Sequence, residues 1–158
     1  MSDLYAVLRV RGRVHVRQKT ADTLRHIGLT RVNHLVLMPK DEVNQGMIKK
    51  AAEYVTWGEI NKKTLKKLIE RRGRLSGDRK ITDDYVADNS EYNSLSEFTE
   101  KLLAGEAKTS DLKGMKKVFR LNPPVGGWDR KGIKKHVNQG GALGYRRSDV
   151  NKLIERMI

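Results

Sequence analysis

The stretch GLTRVNHLVLMPKDEVNQGMI, residues 28–48, contains a helix end, a strand and a helix start in one short run. Gly28 follows the helical pattern TADTLRHI, and glycine just after the last helical residue is the usual way for a helix to end. HLVLMP (34–39) is an apolar run of strand length that Pro39 terminates. The apolar positions of NQGMIKKAAEY (44–54), which overlaps its end, have the spacing of one helical face, and Asn44 is a possible N-cap. The stretch therefore predicts a helix, a strand and a second helix in succession.

Runs rich in strand-forming residues lie on both sides of this stretch. LYAVLRV (4–10) and YVTWGEI (54–60) contain mostly β-branched, aromatic and apolar residues. The first helix is expected to begin at Thr20, because threonine is a suitable N-cap. The order strand, helix, strand, helix, strand predicts an α+β fold in which one sheet carries two helices on one face. The two helices leave the other face of that sheet uncovered, so another part of the chain or a partner would pack there.

Beyond residue 60 the sequence predicts mostly helices and loops. NKKTLKKLIERRG (61–73) has the pattern of a basic amphipathic helix. TDDYVADN and SLSEFTEKLLAG are expected to form small surface helices, the second starting at a capping box of Ser94 and Glu97. KVFRLN is a candidate short strand, a glycine-rich basic loop follows it, and SDVNKLIERMI is expected to close the chain as a helix.

The composition points to a polyanionic partner. The 158 residues include 33 Lys and Arg against 19 Asp and Glu, a net charge of +14, and the isoelectric point is near 10.1. A value above about 9 is typical of nucleic-acid-binding domains; the alternative is a basic protein without such a partner. The lack of cysteine excludes disulfides and thiolate metal sites. Because no apolar run approaches the ~20 residues of a membrane span, we expect a soluble cytoplasmic protein.

Charge is divided unevenly along the chain. Residues 1–75 carry 17 basic and 7 acidic side chains, and residues 113–158 carry 12 and 3. The segment between them, residues 76–112, carries 4 basic and 9 acidic side chains. This division predicts a protein with one side that faces a polyanion and another that faces solvent or protein.

The first basic segment includes RVRGRVHVRQ (9–18), in which cations alternate with valine or glycine. One interpretation is a long edge strand whose charged face is solvated and blocks aggregation. Since strands usually run ~5–6 residues and a glycine interrupts this one, we favour a strand that ends near Val10. An extended arm, residues 11–18, would then bind phosphates through its arginines. Val14 and Val16 would need cover from RNA, a neighbouring protein or the arm itself.

The third segment contains WDRKGIKKH (128–136) and NQGGALGYRR (138–147), in which cations, glycines and single aromatic residues are mixed. Glycine allows a backbone to approach a ligand closely, and Trp128 or Tyr145 could stack on an unpaired base. The alternative is that each ring anchors a flexible loop to the core, which is at least equally plausible.

Catalytic patterns are missing from the sequence. The four histidines show neither H-x-x-x-H nor H-x-E spacing, and there is no nucleophile elbow or P-loop. Asp83 and Asp84 follow Thr82 at an expected helix start, where carboxylates favour the helix dipole. We therefore predict a protein that is not an enzyme, with no cofactor, no metal and no small-molecule substrate.

A family resemblance adds to this interpretation. The run Gly-Leu-x-Arg-Val-Asn-His at 28–34 and the Gly-Met-Ile that opens the second helix resemble the family of the large-subunit ribosomal protein thirty, whose eukaryotic relative is numbered seven. The long C-terminal part, with NPPVGGWDRKGIKKH and LIERMI, resembles the archaeal form of that family. The similarity is least specific in the acidic middle.

The resemblance implies a three-stranded antiparallel, ferredoxin-like sheet in a core of residues 1–60, and an extension over residues 61–158. It also implies binding to large-subunit rRNA, with the loop Gly12–Lys19 as a contact. Arg25, Arg31, Asn33 and His34 fall in or next to the motif run. For Asn33, a role in shaping the turn and a role in RNA contact are equally supported.

The predicted function is that of a structural constituent of the large ribosomal subunit whose partners are rRNA and neighbouring ribosomal proteins. The alternatives are a nucleic-acid-compacting protein and an RNA-processing protein outside the ribosome. The candidate RNA-binding residues are Arg11, Arg13, His15, Arg17, Lys19, Arg25, Arg31, Asn33, His34, Arg130, Lys131, Lys134, Lys135, Arg146 and Arg147. The lysine-rich helix 61–73 is a third candidate segment.

Overall fold

In a computed structural model, which describes residues 3–158, five strands form one sheet and helices cover both of its faces. The strands are β1 (Leu4–Arg9), β2 (His34–Pro39), β3 (Val55–Glu59), β4 (Val118–Arg120) and β5 (Gly144–Tyr145). The helices are α1 (Gln18–Ile27), α2 (Glu42–Lys50), α3 (Lys62–Arg72), α4 (Asp83–Asn89), α5 (Leu95–Leu103) and α6 (Val150–Glu155). Short 3-10 turns occur at Thr109–Asp111, Val137–Gln139 and Arg147–Asp149.

The strand order across the sheet is β4-β2-β1-β3-β5. β1 is central and antiparallel to β2 and β3, as the predicted three-stranded core requires. β4 pairs antiparallel with β2, and β5 pairs parallel with β3. The two outer strands come from beyond residue 60, so the sheet is wider than the predicted one. KVFRLN does contain a strand, β4, as expected. β5 was not predicted, because a strand of two residues has no recognisable pattern in the sequence.

Alternation along β1 divides the core between two faces. Tyr5 and Val7 pack with apolar residues of α1 and α2, which confirms the two helices on one face. Leu4, Ala6 and Leu8 pack on the opposite face with buried residues of α3, α5 and α6. The C-terminal part of the chain therefore covers the face that the first sixty residues leave open.

The acidic segment is more deeply folded than a pair of surface helices. Leu95, Phe98 and Leu102 of α5 are buried and belong to the same apolar cluster as β1 and α3. Ser94 caps α5 by accepting from the Glu97 backbone N–H, as predicted. The acidic side chains thus occupy the outer surface of elements whose inner surface is core.

Two helix starts differ from those expected. α1 begins at Gln18, with Arg17 in the N-cap position and no side-chain cap, so Thr20 lies inside the helix. α2 is capped by Asp41, whose Oδ1 accepts from the Asn44 N–H at 2.6 Å. No helix within residues 3–158 is long and apolar enough to cross a membrane.

Candidate nucleic-acid interface

The loops that carry the two basic segments leave the sheet at the same end. The strand registers align Arg9 with Val55 and His34 with Arg120, so β1 and β4 finish where β2 and β3 begin. The loops 10–17, 28–33 and 121–143 all start or finish at this end of the strands. We call it the basic end.

Arg9 organises the first of these loops from the inside. Its side chain is 3% exposed, and its guanidinium donates to the backbone oxygens of Leu29 (2.7 Å), Arg11 (2.9 Å) and Gly12 (3.1 Å). Burial, together with the charge of Arg13, lowers the pKa of Arg9. The first cation of the alternating row is therefore structural, a role that the alternation alone did not indicate.

The loop after β1 is folded back and is not the extended arm that was expected. It makes a turn at Val14 and His15, where His15 has a φ of 58°. Val16 is half-buried against the α1 and α2 core, whereas Val14 is 79% exposed. One of the two valines thus finds cover within the protein, and the turn leaves Arg13 and Arg17 exposed.

Arg11 is docked on the turn between α2 and β3. Its guanidinium carbon lies 4.8 Å from the centre of the Tyr54 ring, and Nη1 donates to the Glu53 carbonyl at 3.1 Å. The side chain is half-buried, and its remaining N–H groups are available for an anion because a guanidinium has five donors.

Asn33 shapes the turn that leads into β2. It has a φ of 65°, a left-handed conformation that asparagine tolerates better than most residues. Its N–H donates to the Arg9 carbonyl at 2.9 Å, and its carbonyl accepts from the Leu121 N–H at 3.0 Å. The side-chain Oδ1 of Asn33 and the Nδ1 of His34 are buried without a hydrogen-bond partner among the described residues. The turn therefore joins the first loop to the third basic segment.

His34 should make folding pH-dependent. Burial lowers its pKa, and the charges of Arg120, Arg31 and Arg9 lower it further. The unfolded chain then binds a proton near pH 6.5 that the folded chain binds only at lower pH. The free energy of unfolding is expected to fall as pH drops below about 6.5, and His34→Gln should flatten this dependence in urea titrations at several pH values. An unchanged slope in His34→Gln, relative to the exposed-site control His26→Gln, would contradict this assignment.

The glycine-rich loop of the third segment is folded tightly on itself. A Cβ at Gly141 would lie 2.1 Å from the Lys135 carbonyl oxygen, and one at Gly144 would lie 2.5 Å from His136 Nδ1. These glycines serve close internal packing, whereas the sequence had suggested close approach to a ligand. Ala142 and Leu143 form a small buried cluster with Val10, so this loop and the start of the first loop are packed together.

The two aromatic residues of this segment have different environments. Trp128 is half-buried and packs on the apolar clusters, which favours the anchoring alternative. Tyr145 is 42% exposed and lies at the edge of the sheet beside Trp57.

The structure separates Arg146 from the other candidates. Arg146 is 8% exposed, forms an ion pair with Asp129, and donates to Thr56 Oγ1 (3.0 Å) and the Ala142 carbonyl (3.1 Å). Its guanidinium is thus committed to the protein interior.

Arg25 forms an exposed ion pair with Asp22 at 3.7 Å. The exposed candidates are Arg13, His15, Arg17, Lys19, Arg25, Arg31, Arg130, Lys131, Lys134, Lys135 and Arg147; Arg11, Asn33 and His34 are half-buried. Arg147 follows β5 and lies at the end of the sheet opposite the basic end, where it lines a cavity with Glu59 and Glu100.

A second group of cations lies along the outer side of β4. Arg72, Arg74, Lys116 and Arg120 line a cavity of about 180 Å³ together with Asp78. Asp78 accepts from Lys116 at 2.8 Å, and this bond lowers the pKa of its carboxyl group. Arg72 lies in the basic helix 61–73 that was a third candidate, whereas Arg74, Lys116 and Arg120 were missed, although the runs RRGR and MKKVFR carry them. Their juxtaposition depends on α3 meeting β4, which no local pattern shows.

Part of the acidic segment, the end of α5, lies away from the basic end, whereas Asp78 of the same segment lies beside Arg120. The N–H of Asp3, at the opposite end of β1, donates to the Leu103 carbonyl where α5 finishes. On α5, Glu100 is ion-paired with Lys62, and this bond lowers the pKa of its carboxyl group. Asp83 accepts from the Leu95 N–H at 2.9 Å, which links α4 to α5. Within residues 3–158 there is no cluster of His, Asp and Glu suited to hold a metal ion.

Known proteins resemble the chain over nearly its whole length. The family model described as ribosomal protein L30p/L7e matches residues 5–55. The protein named large ribosomal subunit protein uL30 of Nanoarchaeum equitans is 49% identical over 155 residues, which are 98% of this chain and 99% of that protein. Proteins of the same name are 49% identical in Methanococcus maripaludis (98% and 99% covered) and 41% identical in Methanosphaera stadtmanae (98% and 100% covered).

Proposed function

The chain belongs to the ribosomal protein L30p/L7e family, and we propose that it is a structural constituent of the large ribosomal subunit that binds folded rRNA through its basic end. The observation that carries the proposal is the convergence of the basic loops 10–17 and 121–143 on one end of the sheet, with the buried Val10 cluster between them. The exposed cations of this end lie beside packed core residues and are accessible to a phosphate backbone.

The charge distribution favours a folded RNA over a wrapped duplex. The part of the acidic segment that holds Glu100 lies at the opposite end of β1, where α5 finishes and Glu100 pairs with Lys62. A protein that compacts duplex DNA would be expected to present cations more evenly, because phosphate contacts dominate such binding. One basic end suits a single RNA surface that is recognised by its shape.

We also propose a division of labour along the chain. Residues 1–60 would hold the family core with its first RNA-binding loop. Residues 61–158 would add the second basic loop and the acidic surface, which suits neighbouring ribosomal proteins. Both parts contribute strands to one sheet, so the second part also supports the first.

Removing three exposed cations from the first loop and α1 should weaken rRNA binding. In the combined variant Arg13→Gln, Arg17→Gln and Lys19→Gln, each lost phosphate contact should reduce the slope of log K against log salt by about 1. Because none of the three side chains is buried, the fold should persist. The measurement is binding to large-subunit rRNA at several salt concentrations, with circular dichroism as a check of folding.

A matched control removes the same charge elsewhere. Lys63→Gln, Lys113→Gln and Lys152→Gln change exposed lysines outside the basic end and should leave the salt slope nearly unchanged. Equal slopes for the two triple variants would show that binding depends on net charge and not on the basic end.

A further inference from the structure

A small aromatic cavity lies on the sheet face that α1 and α2 cover, beside α2. It has a volume of about 220 Å³. Its lining residues are Tyr5, Gln45, Ile48, Lys49, Trp57 and Tyr145. The strand registers explain it: Trp57 pairs with Val7 on one side and with Tyr145 on the other. Tyr5 is buried, Trp57 is half-buried and Tyr145 is 42% exposed, so two of the three rings reach the surface.

The three rings are held in place before any ligand arrives. The Trp57 and Tyr145 ring centres are 6.1 Å apart at 30°, and Tyr5 meets Tyr145 edge-on at 6.3 Å. The Tyr145 hydroxyl donates to Glu59, which also accepts from Lys40 at 3.0 Å. Burial and this hydrogen bond raise the pKa of Tyr145 to about 12.

We propose that this cavity binds one unpaired RNA base, stacked against Trp57 and Tyr145, with Lys49 on a flanking phosphate. Gln45 is placed to hydrogen-bond the edge of the base. The inference rests on the proposed function, because it adds single-nucleotide recognition to a protein that binds rRNA. The chemistry is that of single-strand recognition, in which aromatic rings stack on bases and cations follow the backbone.

Size and charge favour a base over a protein side chain or a small metabolite. The volume is below the ~300 Å³ at which small-molecule sites begin, and it suits one planar group. Among the described lining residues Lys49 alone is charged, and the nearby Glu59 is already engaged by Lys40 and Tyr145. Lys49 is in the last turn of α2, which leads directly to Glu53, the residue that holds Arg11 at the basic end.

Tryptophan fluorescence tests the proposal directly, because the chain has two tryptophans and Trp128→Phe leaves Trp57 as the single reporter. Titration of this full-length variant with a short single-stranded oligoadenylate should quench the emission in a saturable way. Adding Tyr145→Leu should weaken the apparent affinity about tenfold. Tyr145→Phe, which keeps the ring and removes the hydroxyl, should retain binding. Lys49→Gln should weaken binding less than Tyr145→Leu and make it less dependent on salt.

Several outcomes would overturn the proposal that this cavity binds a base. One is the absence of quenching at RNA concentrations that saturate rRNA binding. Another is an unchanged oligonucleotide affinity in Tyr145→Leu when circular dichroism shows that this variant is folded. If Tyr145→Leu does not fold, Lys49→Gln and Gln45→Leu decide, since unchanged affinity in both would count against the proposal. A photo-crosslinker at Gln45 that attaches to a protein and not to rRNA in assembled subunits would also overturn it. Loss of all rRNA binding would instead refute the proposed function, whereas absent quenching with intact rRNA binding refutes the pocket alone.

Discussion

Replacing Phe98 with alanine is expected to lower the free energy of unfolding by about 3–5 kcal/mol, as truncation of a buried aromatic side chain usually does. Phe98 is fully buried in α5, inside the acidic segment. Its ring centre lies 5.4 Å from that of Tyr92, and it belongs to the apolar cluster that includes Leu8 of β1. The truncation leaves a cavity between α5 and the rest of this core.

Urea unfolding monitored by circular dichroism measures the effect. Lys101→Ala in the same helix is the matched control, because its exposed ion pair with Glu106 contributes at most about 1 kcal/mol. A Phe98→Ala loss no larger than that of the control would show that α5 is peripheral, as the sequence had suggested. A large loss would show that the acidic segment is part of the cooperative fold.

The first sixty residues could be interpreted from the sequence because their signals are local. β1, β2 and β3 are apolar runs of strand length, and Gly28 ends α1 with a φ of 101°, as the glycine stop predicts. The order of the strands and helices along the chain then restricts the sheet to a few possible topologies. Helix starts were less certain, since Asp41 and Asn44 are both good caps and only the backbone geometry decides between them.

The sequence could not show which cations are buried. Arg9 and Arg13 have the same place in the alternation, yet Arg9 is enclosed by backbone carbonyls and Arg13 is exposed. Arg146 and Arg147 are neighbours with opposite environments. These differences arise from contacts between distant parts of the chain, such as Arg146 with Thr56. Residue type alone therefore identified a basic protein, and the fold selected which of its cations face outward.

Replacing Arg146 with alanine is expected to cost about 3 kcal/mol of folding free energy, near the lower end of the range for breaking a buried ion pair. The side chain connects β3, the glycine-rich loop and Asp129. Its removal leaves the Asp129 carboxylate without its cation, and both Thr56 Oγ1 and the Ala142 carbonyl lose a donor. Thermal and urea unfolding both measure the loss.

Arg147→Ala is the matched control, because Arg147 follows directly in the chain and is exposed. It should change the free energy of unfolding by no more than about 0.5 kcal/mol. If Arg146 served RNA directly, its alanine variant would be as stable as the Arg147 variant and would lose rRNA affinity. The geometry predicts the reverse. Arg146→Ala should be less stable than Arg147→Ala. Any loss of rRNA affinity in the folded Arg146→Ala protein should come from distortion of the glycine-rich loop. Measuring stability and affinity on both variants therefore separates an arginine that builds the interface from one that touches RNA.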